Sequence, residues 1–339
     1  MATRRWWLIH LQRRDSAEGK REQSKEMIIK DTILRDVGRL FIWFPFRWFI
    51  TLCPYRFVGS LSFFMGLIDH HFCKSRRIQL IKNLEYVLGD KINSKNIAKR
   101  IMQTHYLNLL ELFKFSSINK TNIYNYVDID GMSNLDHAIS KGTGVILATL
   151  HFGTMQYPLI ALGILGYTIN QVGDRDTEAP EFSFIHRKIA LKYRTIIENK
   201  FKAKHIHISK SLKRVYKCLE ENELLMINVD GVGGLKGQRL KRNYLKIQFM
   251  GNDVYVPSGA VRVARKTGAP IVPIICIRQD NGKHKIVIDH PIIVKSSKDK
   301  NLDIQDYTQQ LLSHFEYYVK TYPDQWLFWM EFKKEYMIV

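Results

Sequence analysis

From residue 126 onward, short apolar runs alternate with stretches of helical spacing, and this rhythm constrains the fold more than any other feature of the chain. "GVILATL" (144 to 150) reads as a buried strand, 156 to 165 as a helix, "YTINQV" (167 to 172) as a strand, and 181 to 199 as a long helix with Pro180 near its first turn. "AKHIHI" supplies the next strand, 211 to 222 a helix, and "LLMINV" a strand leading to Asp230. A helix over 258 to 267, a strand "PIVPIICIR", an alternating "HKIVIDH" suited to a sheet edge and a helix over 304 to 320 complete the series. Such a series predicts an α/β fold, with a mostly parallel central sheet covered by helices. Ligands of these sheets bind outside the carboxyl ends of the strands. His151, the "GDRD" of 173 to 176 and Asp230 all fall there.

Ahead of this core the composition changes. Residues 1 to 39 interleave Arg and Lys with acidic residues, and "RLFIWFPFRWFITLCPYRFVGSLSFFMGLIDH" follows, dense in Phe, Trp, Leu and Ile but broken by Arg47, Arg56, Pro45 and Pro54. Its longest charge-free piece, "FVGSLSFFMGLI" (57 to 68), is twelve residues long, short of the roughly 20 that a spanning helix needs. The pattern predicts an amino-terminal membrane-associated helical segment, interfacial or hairpin-like, with arginines reaching toward headgroups. The alternative is that 40 to 68 packs as buried helices. The opening "MATRRWW" has too short an apolar run for a secretory signal. Between about 76 and 115, Ile, Leu and Tyr recur at helical spacing, with Ser94 as a possible cap. The expected organisation is a basic, aromatic membrane-associating region over 1–75, a helical cover over 76–125 and an α/β core over 126–335.

A net charge of +20 and a pI near 9.7 favour anionic partners, whether nucleic acid, an anionic membrane or an acidic substrate. The aromatics cluster in an apolar stretch instead of a stacking platform, which argues for no nucleic acid. Cys53, Cys73, Cys218 and Cys276 form no CxxC pair and match no histidine spacing, so no metal site is expected, and the compartment reads as reducing. "GVGGLKG" (231 to 237) lacks the Gly-Lys-Ser/Thr ending of a phosphate loop.

The chemistry centres on "HFGTMQ", 151 to 156. A histidine at a strand tip can take the proton of an attacking hydroxyl, provided an acceptor holds its other ring N–H. Gln156 can orient the ring but cannot supply the charge that would stabilise an imidazolium. By loop position the nearest carboxylates are Asp174, Asp176 and Asp230. If none serves, the chain is a catalytically impaired relative that keeps its groove for lipid or partner binding; a buried structural histidine is the plainest alternative. Asp230 fits a site role or a turn cap equally. His105 and Glu111, on the preceding helix, read as structural.

"TLHFGTMQ", "LLMINVDGVGG", "IQFMGNDVYVPSGAVRVARKTGAPIVP" and "YPDQWLFWMEFKK" together resemble the lipid A biosynthesis acyltransferases, the lauroyl and myristoyl transferases of Gram-negative bacteria within the glycerolipid acyltransferase superfamily. The upstream "RIQLIKNLEYVLGDKINSKNIAKRIMQTHYLNLLELF" is similar to the helical region preceding their motif, and the likeness spans roughly 35 to 335. It implies an enzyme at the cytoplasmic face of the bacterial inner membrane, with no tightly bound cofactor. Such an enzyme moves a fatty acyl chain from acyl carrier protein or coenzyme A to a hydroxyl of a lipid or glycolipid. The family's His-x4-Asp/Glu motif falls on His151 and Gln156, a departure at a catalytic position, and its later aspartate on Asp230. The usual Phe-Phe-Gly appears as Phe249, Met250 and Gly251, after a loop that is longer and more basic. Under this resemblance Arg175, Arg187, Lys236 and Arg239 are the residues expected to meet phosphates of coenzyme A, an acidic carrier protein or a phosphorylated acceptor.

Overall fold

The computed structural model describes residues 36–173, 189, 191–206, 212–231 and 244–330. The chain divides into two compact units, residues 1–48 with 176–193, and residues 49–175 with 194–339. In the first, a π-helical turn, Ile42–Phe46, contains Pro45, whose missing N–H accounts for the widened turn. Trp43 there meets Tyr193 edge to face, with ring centres 5.2 Å apart.

The second unit holds the sheet. Its strands are β1 (Val127–Asp130), β2 (Val145–Thr149), β3 (Ile169–Val172), β4 (Ala203–Ile206), β5 (Leu224–Asn228), β8 (Ile271–Arg278) and β9 (His284–Ile288), in the spatial order β1-β9-β8-β2-β5-β3-β4. A separate hairpin pairs β6 (Tyr244–Phe249) with β7 (Asn252–Pro257). Every residue of β2 is buried. Ile146 and Ala148 enter one apolar cluster while Val145 and Leu147 enter another, so the strand is covered on both faces. That explains why its sequence is a continuous apolar run instead of an alternating one.

Helices provide the two covers. On the Ile146 side lie α3 (Lys74–Leu88), α4 (Ser94–Lys114), α8 (Lys213–Glu220), α9 (Gly259–Thr267) and α10 (Lys300–Thr321), with the hairpin and the aromatic segment around Trp326 and Trp329. On the other side lie α5 (Met132–Ile139) and α6 (Gln156–Ile164). Three more helices are α1 (Arg47–Leu52), α2 (Tyr55–Phe72) and α7 (Leu191–Lys200). Asn93, not Ser94, caps α4: its side chain accepts the Asn96 backbone N–H, and Ser94 donates to Glu85 across 2.7 Å.

The structure corrects the expected class in two respects. The sheet is mixed, because β8 and β9 run antiparallel. A tight turn, in which the Gln279 N–H donates to Lys283 O (2.8 Å), joins them and leaves no room for the crossover that a parallel partner requires. β9 is also not an edge strand, since β1 pairs with its other side in parallel register.

The second correction concerns the amino-terminal membrane-associated helical segment. Among the described residues no helix is long and apolar enough to cross a membrane. α2, the longest apolar candidate, packs on α4 through Val58, Ser62, Gly66 and Asp69, which are buried. At Gly66 the helices approach so closely that a Cβ would stand 2.6 Å from Gln103 Cα. The Lys114 ammonium adds a tie, donating to the carbonyls of Thr51 (2.9 Å) and Cys53. One face of α2 is therefore packed against α4 through small residues, while Phe57, Phe63, Phe64 and Phe72 of the same helix stay exposed.

The hairpin was not evident from sequence. Its two-residue turn places Met250 and Gly251 at φ 55° and 76°, the positive values that suit a tight hairpin. Methionine is an unusual residue there. Its buried side chain joins the core and its N–H donates to Glu316 Oε1 (2.8 Å), contacts that offset the strained backbone.

Candidate active site

Strand register builds the site. β2 and β5 are neighbouring parallel strands in which Thr149 pairs with Asn228, and the Val229 N–H donates to Thr149 O. Two residues beyond that pair, at the carboxyl ends of both strands, stand His151 and Asp230. His151 Nδ1 lies 2.6 Å from Asp230 Oδ1, and the His151 backbone N–H donates to Asp230 Oδ2 at 2.7 Å. A third donor, Trp326 Nε1, reaches the same Oδ2 at 3.2 Å. Asp230 is almost wholly buried, and three N–H groups around it offset the loss of water that an unpaired carboxylate would suffer.

A carboxylate only accepts, so the imidazole carries its proton on Nδ1 and offers a lone pair at Nε2. Asn228 Nδ2 lies 2.8 Å from Nε2. The imidazole remains 22% exposed, the one member of the pair open to an incoming group. Gln156 occupies the first position of α6 and makes no hydrogen bond to the ring. The helix carries it past the strand tip, whereas Asp230 approaches across the sheet.

The loop itself is clamped from two directions. Gly153 N–H donates to Gln325 O and Leu327 N–H donates to His151 O, each at 2.8 Å, so 325–327 runs beside 151–153 as a short antiparallel bridge. Gly153 has φ +53°, and a Cβ there would sit 2.2 Å from the Cys276 carbonyl oxygen. Only glycine fits that turn.

Next to the loop lies a buried polar cluster. Thr154 Oγ1 is 2.5 Å from Glu111 Oε2, and Arg278 Nη2 is 2.7 Å from the same oxygen and 2.8 Å from Thr154 Oγ1 and from Asn108 Oδ1. Asn108 Nδ2 in turn donates to Gly153 O. Burial alone raises the Glu111 carboxyl, but Arg278, His284 and the hydrogen bonds from His284 and Thr154 outweigh it and bring the carboxyl down to about 2. His284 Nε2 donates to Glu111 Oε1 at 3.1 Å. Burial pulls His284 below its ordinary value despite that carboxylate. Among the groups that lower the Glu111 carboxyl, the Arg278 charge is the largest. Cys276, whose thiol burial holds protonated, faces His284 Nδ1 at 3.7 Å.

Asn228, Trp326 and the Glu111–Arg278 pair were missed by sequence reasoning. One signal was available for Asn228: it stands two residues before Asp230 on a strand, so both point to the same side. Nothing in the sequence announces the Trp326 contact. Asp174, Asp176, Arg175, Arg187, Lys236 and Arg239 lie outside the described residues. No group of His, Cys, Asp and Glu able to hold a metal occurs among the described residues.

Fold and site together define an α/β protein with a histidine–aspartate pair at the carboxyl edge of its sheet. The chain belongs to the bacterial lipid A biosynthesis acyltransferase family, whose profile matches residues 28–334, and its class is therefore acyltransferase. It is similar to the phosphatidylinositol mannoside acyltransferase of Mycobacterium tuberculosis, 24% identical over 256 residues that cover 73% of this chain and 74% of that protein. The crystal structure of the 1-acyl-sn-glycerophosphate acyltransferase PlsC from Thermotoga maritima matches 78% of this chain and 97% of its own, at 15% identity and a TM-score of 0.36.

Proposed function

We propose that this chain is an acyl-thioester-dependent O-acyltransferase that moves a fatty acyl chain to a hydroxyl of a lipid or glycolipid, with His151 as general base and Asp230 as the carboxylate that orients it. The observation that carries this reading is the 2.6 Å contact between His151 Nδ1 and Asp230 Oδ1, which leaves the Nε2 lone pair at the sheet edge. Family membership supports an acyl-thioester donor, either acyl carrier protein or coenzyme A, and action at the cytoplasmic face of the bacterial inner membrane. The name of the mycobacterial relative supports a glycolipid acceptor.

The step balances with these groups alone. Nε2 takes the hydroxyl proton as the acceptor oxygen attacks the thioester carbonyl carbon. The tetrahedral intermediate collapses with cleavage of the C–S bond, and the imidazolium returns its proton to the departing thiolate. Asp230 holds the ring through Nδ1–H and stabilises the imidazolium while it exists. Arg175, Arg187, Lys236 and Arg239 are the proposed contacts for the anionic parts of donor and acceptor. Gln156 points to a catalytically impaired lipid-binding relative as the alternative, and the Asp230 carboxylate at His151 Nδ1 supports the active reading over it.

The test is a transfer assay with long-chain acyl carrier protein and acyl-CoA against bacterial phospholipid and glycolipid acceptors. Product from wild type and none from a folded His151→Ala protein is the expected result; equal turnover by both removes His151 as the base.

A further inference from the structure

The amide of Asn228 occupies the one position on His151 that the proposed chemistry needs. Its Nδ2 is 2.8 Å from Nε2, and Asp230 already fixes the imidazole proton on Nδ1. The amide therefore donates to the lone pair that would receive the hydroxyl proton. The opposite orientation would set Oδ1, an acceptor, against that lone pair.

The other end of the same amide shows what fixes this arrangement. Among the described residues, Asn228 Oδ1 is buried and has no hydrogen-bond partner. Buried acceptors are nearly always paired, and an unpaired one calls for an explanation. No described residue holds the carbonyl, and the bond to His151 sets the orientation of the side chain. Asn228 ends β5 in register with Thr149, two residues before Asp230, and the backbone delivers its amide and the Asp230 carboxylate to opposite nitrogens of one ring.

We infer that Asn228 is a positioning residue that caps the proton-accepting nitrogen of His151 in the free protein, holds the ring in its Nδ1–H form, and is displaced by the acceptor hydroxyl. This deepens the reading of His151 as general base and rests on it. The neutral imidazole keeps the cap, whereas the imidazolium, whose Nε2–H has no lone pair, breaks it and forces the amide to turn over. Asn228 thus disfavours idle protonation of the base. The hydroxyl, which can donate its proton to Nε2, replaces the amide at the same point.

Among the described residues, three charged groups stand around the ring and its loop. Asp230 faces Nδ1 from the end of β5. The Glu111 carboxylate from α4 and the Arg278 guanidinium from β8 reach the loop at Thr154 and compensate each other. Asn228→Ala leaves all three in place. Loss of one hydrogen bond to the neutral form is expected to raise the His151 titration midpoint by roughly half a unit to one unit. Asn228→Asp places a carboxylate at Nε2 and is expected to raise it further.

The experiment is a pH titration of full-length protein labelled with nitrogen-15 in its histidine rings, using wild type, Asn228→Ala, Asn228→Leu and Asn228→Asp. His151→Gln assigns the resonance, and thermal unfolding verifies that each variant is folded. Asn228→Leu, close to isosteric, serves if the alanine variant does not fold. The expected result is an upward shift in every Asn228 variant, largest in Asn228→Asp, with the acid limb of kcat/KM moving in parallel. A midpoint that stays in place or moves down in the alanine or leucine variant overturns the inference. The titration needs no turnover, so the two readings fail separately. Should His151→Ala keep full activity while the midpoints move as expected, the catalytic reading fails and the cap on the imidazole stands as a structural fact.

Discussion

His151 and Asp230 are separated by 79 positions in sequence, yet their side chains meet at 2.6 Å because parallel strands deliver both to one edge of the sheet. Asp230→Asn keeps the shape but withdraws the charge that stabilises the imidazolium. In the serine-protease triad the same change costs about 10⁴-fold in turnover, and here kcat is expected to fall by about 10²- to 10⁴-fold with KM little altered. Steady-state transfer kinetics on a folded variant provide the measurement. A kcat close to wild type would remove Asp230 from the mechanism.

The family resemblance predicts an acidic residue at the position of Gln156, yet among the described residues Gln156 makes no hydrogen bond to the imidazole. Gln156→Ala and Gln156→Glu are each expected to change kcat by less than about tenfold, below the usual contribution of a general acid–base group. If Gln156→Glu raised turnover by two orders of magnitude, position 156 and not 230 would supply the missing charge.

Gly153 holds φ +53° with the Cys276 carbonyl against its open face. Gly153→Ala must both enter a left-handed conformation and push that carbonyl away. A loss of about 3 kcal/mol in unfolding free energy is expected, together with loss of activity as His151 shifts. Urea denaturation measures it; an unchanged midpoint would mean that the loop has another conformation open to it.

Glu111 links the helical cover to the His151 loop through Thr154 and Arg278. Glu111→Ala leaves the Arg278 charge poorly compensated and is expected to cost about 3–5 kcal/mol. The pH dependence has a definite sign. The Glu111 carboxyl titrates at about 2 in the folded protein against an ordinary 4.5. Its contribution is therefore complete above about 4.5 and is lost as pH falls toward 2. The stability gap between wild type and Glu111→Gln should be widest at neutral pH and close across that interval in denaturation experiments at several pH values. A gap that is constant from neutrality to acid would contradict the ionised assignment.

Local chemistry made much of the core legible. Continuous apolar runs mark β2, β5 and β8 because strands covered on both faces leave no side for polar residues, and the helices between them keep the 3.6-residue spacing of a buried stripe. The same rhythm placed His151 and Asp230 at strand ends. The β6–β7 hairpin escaped notice because its turn uses Met250, whose cost is offset by contacts from distant α10. The fate of the aromatic amino-terminal stretch was equally beyond local reading: Gly66 and Ser62 become a packing face only once Gln103 of α4 is opposite them.

By itself the sequence determined β2, β3, β4, β5, β8 and β9, the helices α6, α8, α9 and α10, and which polar residues follow the strands, since periodicity and burial are properties of neighbouring residues. Only the tertiary structure decided which carboxylate meets His151, that β9 returns antiparallel, and that Asn228, Trp326, Glu111 and Arg278 belong to the surroundings of the site. Those outcomes depend on the order and register of strands far apart in the chain, and no local pattern encodes a register.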